Sequence, residues 1–278
     1  MKQAKQCSAP IINRVETMLA MTLAILALAP SADVKLKELS LTVGKETREA
    51  LIAKPSKESK SIPLVFVWHG HGGTAKHAAR TMDIHKHWPE ALCVYPQGLP
   101  TPGQITDPEG KKTGWQMAAG KQDDRDLKFF DDLLAKLKKD YAIDDKRIYC
   151  TGHSNGGGFT YLLWDQRPDV FAAVAPSAAA MMQVKSFKPL PCLHIASETD
   201  PLVKYGWQEI MFEKIKKGNG CEKTGTEYAK EGKLVATKFE SKTGPVFITA
   251  LHPGGHTYSS DAPKLIAKFF AENEKEKK

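Results

Sequence analysis

The sequence lacks the features that mark repeat proteins, low-complexity proteins and membrane-spanning proteins. Its 278 residues contain no internal repeat and no low-complexity tract. The longest apolar run, residues 18–29, is shorter than the 20 or so residues that a helix needs to span a bilayer. With 41% hydrophobic and 26% charged residues, the composition is that of a soluble globular protein. The length allows one large α/β domain or two small ones.

Positive charge is in excess but is not organised for nucleic-acid binding. The net charge is +8, and the excess lysine is spread along the chain and concentrated in residues 272–278. Single-strand binding needs a basic groove with interleaved aromatic side chains, and no such stripe is present. No G-x-G-x-x-G opens a helix, which excludes the usual dinucleotide-binding turn. We expect no nucleic-acid partner and only weak attraction to anionic polymers.

The N-terminal 32 residues are typical of an export signal. Basic residues precede the apolar run of residues 18–29, and small residues follow it. We predict that residues 1–32 are a signal peptide, cleaved after Ala32 or alternatively after Ala29. Residues 33–278 would remain as a single catalytic domain, secreted or periplasmic and without a membrane span. The alternatives are an N-terminal membrane anchor and a disordered tail.

Strand-like and helix-like patterns alternate along the rest of the chain. Continuous apolar runs at residues 63–68 and 91–95 predict strands buried on both faces. Apolar residues at three- and four-residue steps predict an amphipathic helix over residues 127–141. The first pattern, over residues 34–53, predicts an antiparallel hairpin at a sheet edge. The predicted fold class is α/β, a mostly parallel sheet flanked by helices.

The cysteines are few, and three of them lie in different predicted core strands: Cys93, Cys150 and Cys192. Neighbouring strands are about 4.8 Å apart, so strands separated by another strand are beyond disulfide reach. If the strand order is that of the sheet implied by the family resemblance below, other strands separate the three cysteines, and we expect their thiols to be unbridged, buried and apolar in character. Cys221 has no predicted partner, and Cys7 belongs to the signal segment.

The most informative stretch is residues 147–159, RIYCTGHSNGGGF. A β-prone run ends in the G-x-S-x-G turn, and a helix-like segment follows. Gly152 and Gly156 are needed because a Cβ at either position would collide where the backbone doubles back. This turn lifts the hydroxyl of Ser154 to a helix N-terminus, where developing negative charge is favoured. Ser154 is the candidate nucleophile, and a purely structural turn is the alternative.

A serine nucleophile needs a general base and a carboxylate that orients the base. In a parallel sheet these groups gather beyond the carboxyl ends of the strands. Glu198 and Asp200 follow one predicted core strand, and His252 and His256 follow another. Asp200 precedes a proline at a loop apex, and His256 follows two glycines that let a loop fold back. These features favour Asp200 and His256. The chain order serine, acid, histidine is that of α/β-hydrolases.

An oxyanion intermediate needs two backbone N–H donors. One donor would be Asn155, and the other would come from the turn HGHGG at residues 69–73, with His71 favoured and Gly72 the alternative. A metal site is the other interpretation of this region, because five histidines are close in sequence (His69, His71, His77, His85 and His87). A zinc site also needs spatial convergence and usually a carboxylate or thiolate. We expect no metal and no cofactor.

A long stretch rich in proline, glycine, threonine and aspartate precedes the predicted helix of residues 127–141. Loops of this length in a compact domain usually carry function or are disordered. The loop of residues 99–121 leaves the sheet at the same edge as the nucleophile turn, so we predict that it shapes the substrate pocket. Trp115 is the only aromatic residue between positions 111 and 120. We predict that it contacts the substrate; the alternative is that it anchors the loop.

Taken together, the motifs resemble those of a known family. Eight of them occur in family order: WHGHGG, YPQG, GW, DDRD with FFDDLL, GHSNGGG, FAAVAPSAA, SETDPLV and PGGHTY. This order resembles that of secreted esterases similar to polyhydroxybutyrate depolymerases and feruloyl esterases, over about residues 34–270. The resemblance implies an α/β-hydrolase fold with Ser154 as nucleophile, Asp200 as acid and His256 as base.

The expected function is serine carboxylic-ester hydrolysis through an acyl-enzyme. The resemblance implies feruloyl, acetyl-polysaccharide or hydroxyalkanoate esters, either small or linked to a polymer. It includes no counterpart of the separate substrate-binding domain of many polymer-degrading members. Two alternatives remain: a serine peptidase of the prolyl-oligopeptidase type, and a non-catalytic binding protein on the same scaffold.

Overall fold

A large, mostly parallel sheet carries helices on both faces. The computed structural model describes residues 35–56, 59–103 and 105–275. The predicted signal peptide and both cleavage sites lie outside the described residues, so export stays a prediction. Within the described ranges, every helix is too short or too polar to cross a bilayer.

The strands are β1 (Lys37–Val43), β2 (Glu46–Ala53), β3 (Ile62–Trp68), β4 (Leu92–Pro96), β5 (Leu99–Pro100), β6 (Thr113–Gly114), β7 (Ile143–His153), β8 (Ala173–Ser177), β9 (Cys192–Ala196), β10 (Thr226–Glu231), β11 (Leu234–Phe239) and β12 (Phe247–Leu251). The helices are α1 (Ala75–Thr81), α2 (Ile84–His87), α3 (Arg125–Asp140), α4 (Asn155–Gln166), α5 (Tyr205–Asn219) and α6 (Ala262–Ala271).

In the described residues the main sheet has the strand order β1-β2-β4-β3-β7-β8-β9-β12-β11-β10. The six central strands from β4 to β12 are parallel to one another. An antiparallel hairpin closes each edge, formed by β1 and β2 at one end and by β10 and β11 at the other. The predicted fold class and the predicted edge hairpin are confirmed.

The alternation of side chains along β3 shows how the two faces are built. Phe66 and Trp68 belong to the core on the face covered by α3, α4 and α5. Val65 and Val67 belong to the core on the opposite face, covered by α1, α2 and α6. Because both faces are covered, the strand is apolar along its whole length and every residue of it is buried.

The sheet order separates the three core cysteines as predicted. Cys93 lies in β4, Cys150 in β7 and Cys192 in β9, with β3 and β8 between them. All three are buried free thiols, and Cys221 is also unbridged. The prediction of unbridged core cysteines is confirmed.

The helical segment between β3 and β4 is two short helices rather than one. Helix α1 ends at Thr81, where the Met82 N–H closes the last turn on Ala78 O at 2.7 Å. Asp83 then has non-helical backbone angles and precedes α2. The apolar period continues across this break, so periodicity alone could not locate it.

Candidate active site

Ser154 lies at the apex of a sharp turn between β7 and α4. Its backbone has φ 56°, a left-handed conformation that serine seldom adopts. The flanking glycines make the turn possible. A Cβ on Gly152 would lie 2.3 Å from Gly156 O, and a Cβ on Gly156 would lie 2.3 Å from Trp68 O. The Ser154 N–H donates to Ser177 O at 2.8 Å, which ties the turn to β8.

Three side chains from three loops form one hydrogen-bonded chain. His256 Nε2 lies 2.8 Å from Ser154 Oγ, and His256 Nδ1 lies 2.8 Å from Asp200 Oδ2. An ionised carboxylate only accepts hydrogen bonds, so Nδ1 carries a proton. Nε2 of the neutral ring then accepts from the serine hydroxyl. The structure thus brings together the serine, acid and histidine singled out by the sequence.

The carboxylate is held by backbone donors. Asp200 Oδ1 accepts from the N–H groups of Leu202 and Val203, each at 2.9 Å. Its side chain is fully buried. Glu198, the alternative carboxylate, is exposed to solvent. Asp200 is therefore the buried carboxylate that contacts the histidine, whereas Glu198 faces solvent.

Sequence reasoning missed a buried polar chain behind Asp200. The Tyr161 hydroxyl lies 2.5 Å from His194 Nδ1, and His194 Nε2 lies 3.0 Å from Gln208 Oε1. The Gln208 amide donates to Val203 O at 2.7 Å and approaches Asp200 Oδ2 at 3.5 Å. The one sequence feature that could have indicated this chain is Gln208, a polar residue on the apolar face of α5.

The two other histidines near the triad, His252 and His153, have hydrogen-bond partners outside it. His252 is buried, and its Nδ1 accepts from the Gly254 N–H at 3.1 Å. His153 Nδ1 lies 3.3 Å from Ser177 Oγ, and the ring centroid lies 5.2 Å from that of His256. Burial lowers the pKa of His153 to about 3, so it is neutral at physiological pH. It adds no positive charge beside His256.

The two predicted oxyanion donors both line the pocket at Ser154. Among the described residues, the N–H groups of His71 and Asn155 have no acceptor. The N–H of Gly72, the alternative donor, donates to Thr113 O at 2.6 Å. This bond favours His71 over Gly72.

A pocket of about 340 Å³ opens beside Ser154. Six large apolar side chains are exposed in the part of the chain that the structure describes, and four of them line this pocket: Ile105, Met182, Leu202 and Trp207. Their convergence gives the site an apolar mouth. Only Ile105 belongs to the loop that the sequence predicted to shape the pocket. Trp207 and Leu202 were missed because apolar residues on or near a helix are usually core, and Met182 was missed because no pattern marks the segment after β8 in which it lies.

The prediction that Trp115 contacts the substrate is wrong. Its side chain is fully buried, and its Nε1–H donates to His69 O at 2.9 Å. The ring packs edge-on against Trp68 at 4.9 Å and stacks on Phe159 at 5.4 Å. Trp115 therefore anchors the loop to the body of the sheet, which was the alternative.

The five clustered histidines do not converge. His69 bonds to backbone atoms of Gly70 and Gly98, and His85 Nδ1 lies 2.7 Å from Tyr95 Oη. Within the described ranges, no three His, Cys, Asp or Glu side chains form a group that could hold a metal ion.

Two buried neutral histidines predict a loss of stability in mild acid. Burial lowers the pKa of both His69 and His194 to about 4. In the unfolded chain the pKa is about 6.5, so the unfolded state binds these protons first as the pH falls. Between about pH 6.5 and pH 4, the free energy of unfolding should fall by about 1.4 kcal/mol per pH unit for each ring.

Urea unfolding at several pH values from 7 to 5 measures this slope. The free energy of unfolding of His194→Gln should depend less steeply on pH than that of the wild type, by about 1.4 kcal/mol per pH unit, the contribution of one proton. Identical slopes for the two proteins would contradict the assignment of His194 as a buried neutral ring.

Comparison with known proteins agrees with this geometry. The model of the prolyl oligopeptidase family matches residues 112–223. A curated relative, probable feruloyl esterase C of Aspergillus clavatus, is 27% identical over 239 residues, which cover 80% of this chain and 83% of the relative.

Solved structures show the same fold. An acetyl xylan esterase from Aspergillus awamori superposes with a TM-score of 0.60 at 11% identity, over 84% of this chain and 99% of that one. A ferulic acid esterase gives 0.58 at 15% identity, over 86% and 98%.

The chain is a carboxylic ester hydrolase with the α/β-hydrolase fold. The prediction of a carboxylic ester hydrolase on this fold is confirmed. The family match covers the nucleophile turn of this esterase and its Asp200 segment, but it ends before His256. The roles of individual residues in the esterase therefore rest on their geometry.

Proposed function

We propose that this esterase hydrolyses its substrates through a Ser154–His256–Asp200 triad and an acyl-enzyme. The observation that carries the proposal is the hydrogen-bonded chain of these side chains, with both contacts at 2.8 Å, at an apolar pocket. In this arrangement each group has the partner that its role requires.

In the first half of the reaction, Ser154 Oγ attacks the ester carbonyl carbon while His256 Nε2 accepts the hydroxyl proton. Asp200 holds the Nδ1–H tautomer and stabilises the imidazolium. The N–H groups of His71 and Asn155 donate to the oxyanion, and Asn155 stands at the N-terminus of α4 where negative charge is favoured. His256 then returns the proton to the departing alcohol.

In the second half, a water molecule replaces the alcohol. His256 accepts a proton from this water as it attacks the acyl carbon, and then protonates Ser154 Oγ as the acid leaves. Every proton is carried by a residue of the chain or by water, so the reaction uses no cofactor.

We propose esters of aromatic acids, of the feruloyl type, as the preferred substrates. Two observations support this choice: the curated relatives include feruloyl esterases, and the pocket mouth presents half-exposed apolar side chains, including an indole. A small acetyl group would leave this surface in water, whereas a flat aromatic acyl group would cover it. Acetyl-xylan and hydroxyalkanoate esters are the competing substrates.

Trp207→Ala tests the aromatic specificity. We expect the KM for methyl ferulate to rise about tenfold, because a lost aromatic contact costs about 1–1.5 kcal/mol. The KM for a p-nitrophenyl acetate control should change less than twofold. Ile210→Ala is the matched control: it is equally exposed on the same helix but does not line the pocket. Equal changes in KM for both esters would contradict the role of Trp207.

A panel of purified substrates tests the function itself. Methyl ferulate and feruloylated arabinoxylan fragments should be hydrolysed faster than acetyl-xylan or hydroxybutyrate oligomers. The partial match to the prolyl oligopeptidase family favours one second candidate, a serine peptidase. Prolyl peptide anilides belong in the same panel, and their hydrolysis at a rate above that of every ester would favour the peptidase.

A further inference from the structure

The 99–121 loop holds the side chains of both proposed oxyanion residues. His71 Nε2 lies 3.0 Å from Asp107 Oδ2. Asn155 Oδ1 accepts from the Trp115 N–H at 2.7 Å, and Asn155 Nδ2 donates to Trp115 O at 3.0 Å. One loop therefore contacts two residues that come from different strand ends.

The same loop fills the space between these two residues. A Cβ on Gly114 would lie 2.8 Å from His71 Nδ1 and 3.0 Å from Asn155 Oδ1. Beside it, the Gly72 N–H donates to Thr113 O at 2.6 Å. Only a glycine fits at position 114 without moving one of the side chains.

Asp107 is itself fixed in position. Its Oδ1 accepts from the Lys111 N–H at 3.1 Å, and its Oδ2 accepts from the Lys112 N–H at 2.8 Å. Its backbone oxygen accepts from the N–H groups of Gly103 and Gly110, each at 3.0 Å. The Lys112 N–H is the largest of the influences that lower the pKa of Asp107, so the carboxylate is ionised at neutral pH. A fixed, charged acceptor restrains the imidazole that it contacts.

We propose that Asp107 is a positioning residue that, by holding the His71 side chain, sets the place of the His71 N–H in the oxyanion hole. This inference rests on the proposed function. An oxyanion donor acts only within a narrow range of distance from the developing charge, and loss of one donor costs about 10²–10³ in kcat. A donor that is displaced rather than removed should lower kcat by only part of that factor.

The test uses three variants in the full chain. Asp107→Ala removes the acceptor, whereas Asp107→Asn keeps an oxygen that can accept from His71. Glu109→Ala is the matched control, because Glu109 is an exposed acid in the same loop whose ion-pair partner is Lys111. The probes are methyl ferulate turnover and inhibition by phenylboronic acid. Boron accepts a lone pair from Ser154 Oγ, the serine proton passes to His256, and a boronate oxygen occupies the oxyanion hole.

We expect Asp107→Ala to lower kcat about 10- to 50-fold and to raise the boronic acid Ki by a similar factor, with KM within about threefold. Asp107→Asn should keep kcat within about fivefold, and Glu109→Ala should match the wild type. A loop that only shapes the pocket would instead raise KM and leave the boronate Ki unchanged.

A double-mutant cycle with His71→Ala completes the test and approaches the same contact from the other side. The two substitutions together should cost no more than either alone, because each breaks the same contact. Additive losses, or unchanged kcat and Ki in both single variants, would overturn the inference. If Ser154→Ala is inactive while Asp107→Ala is normal, only this inference fails. If Ser154→Ala stays active, both the proposed function and this inference fail.

Discussion

Ser154→Ala should lower kcat for ester hydrolysis about 10⁵-fold while leaving the melting temperature nearly unchanged. Among the described side chains the hydroxyl is hydrogen-bonded to His256, whose ring is partly exposed, so removing the hydroxyl leaves no fully buried group without a partner. The backbone at this position keeps the same turn, because alanine meets the same steric conditions as serine at φ 56°.

The double variant gives a sharper expectation. Ser154→Ala combined with His256→Ala should cost little more than either change alone, since triad members act as a unit. Multiplicative losses would show that the two residues act independently. A single serine variant that keeps more than a few per cent of wild-type kcat would exclude Ser154 as the nucleophile.

Trp115→Ala should destabilise the protein by about 3–5 kcal/mol, the usual range for deleting a large buried aromatic side chain. The change removes the ring contacts with Trp68 and Phe159 and leaves His69 O without its indole donor. Activity should fall alike for acetyl and feruloyl esters, because the pocket mouth itself is not altered. Thermal unfolding and the two KM values measure these effects.

Trp207→Ala is the matched tryptophan control. Its side chain is 41% exposed, so the melting temperature should change little. If Trp115→Ala instead raised KM for bulky esters alone with an unchanged melting temperature, Trp115 would face the substrate and the anchor assignment would be wrong.

The parts of the site that the sequence predicts are those governed by local rules. Gly152 is required by a backbone contact with Gly156, four residues away, so the G-x-S-x-G pattern alone indicates the turn. Asp200 and His256 follow core strands within five residues, and strands of a parallel sheet end at one edge.

The parts that the sequence does not predict depend on contacts between distant segments. The neighbours of Trp115 come from β3, α4 and the turn after β3, and no local pattern indicates that they meet. The apolar residues around Trp207 look like core residues because a helix needs an apolar face. Asp107 gives no signal at all, since its contact with His71 depends on how the long loop folds.

Covalent labelling of the nucleophile tests the central claim most directly. The protein is treated with diethyl p-nitrophenyl phosphate, digested and analysed by mass spectrometry. Ser154 Oγ should attack phosphorus and release p-nitrophenolate, which leaves one diethyl phosphoryl group on the peptide that contains Ser154, with complete loss of esterase activity. His256→Ala should not be labelled at a comparable rate, because the serine would lack its base. A phosphoryl group on another residue, or loss of activity without a label on Ser154, would contradict the proposed mechanism.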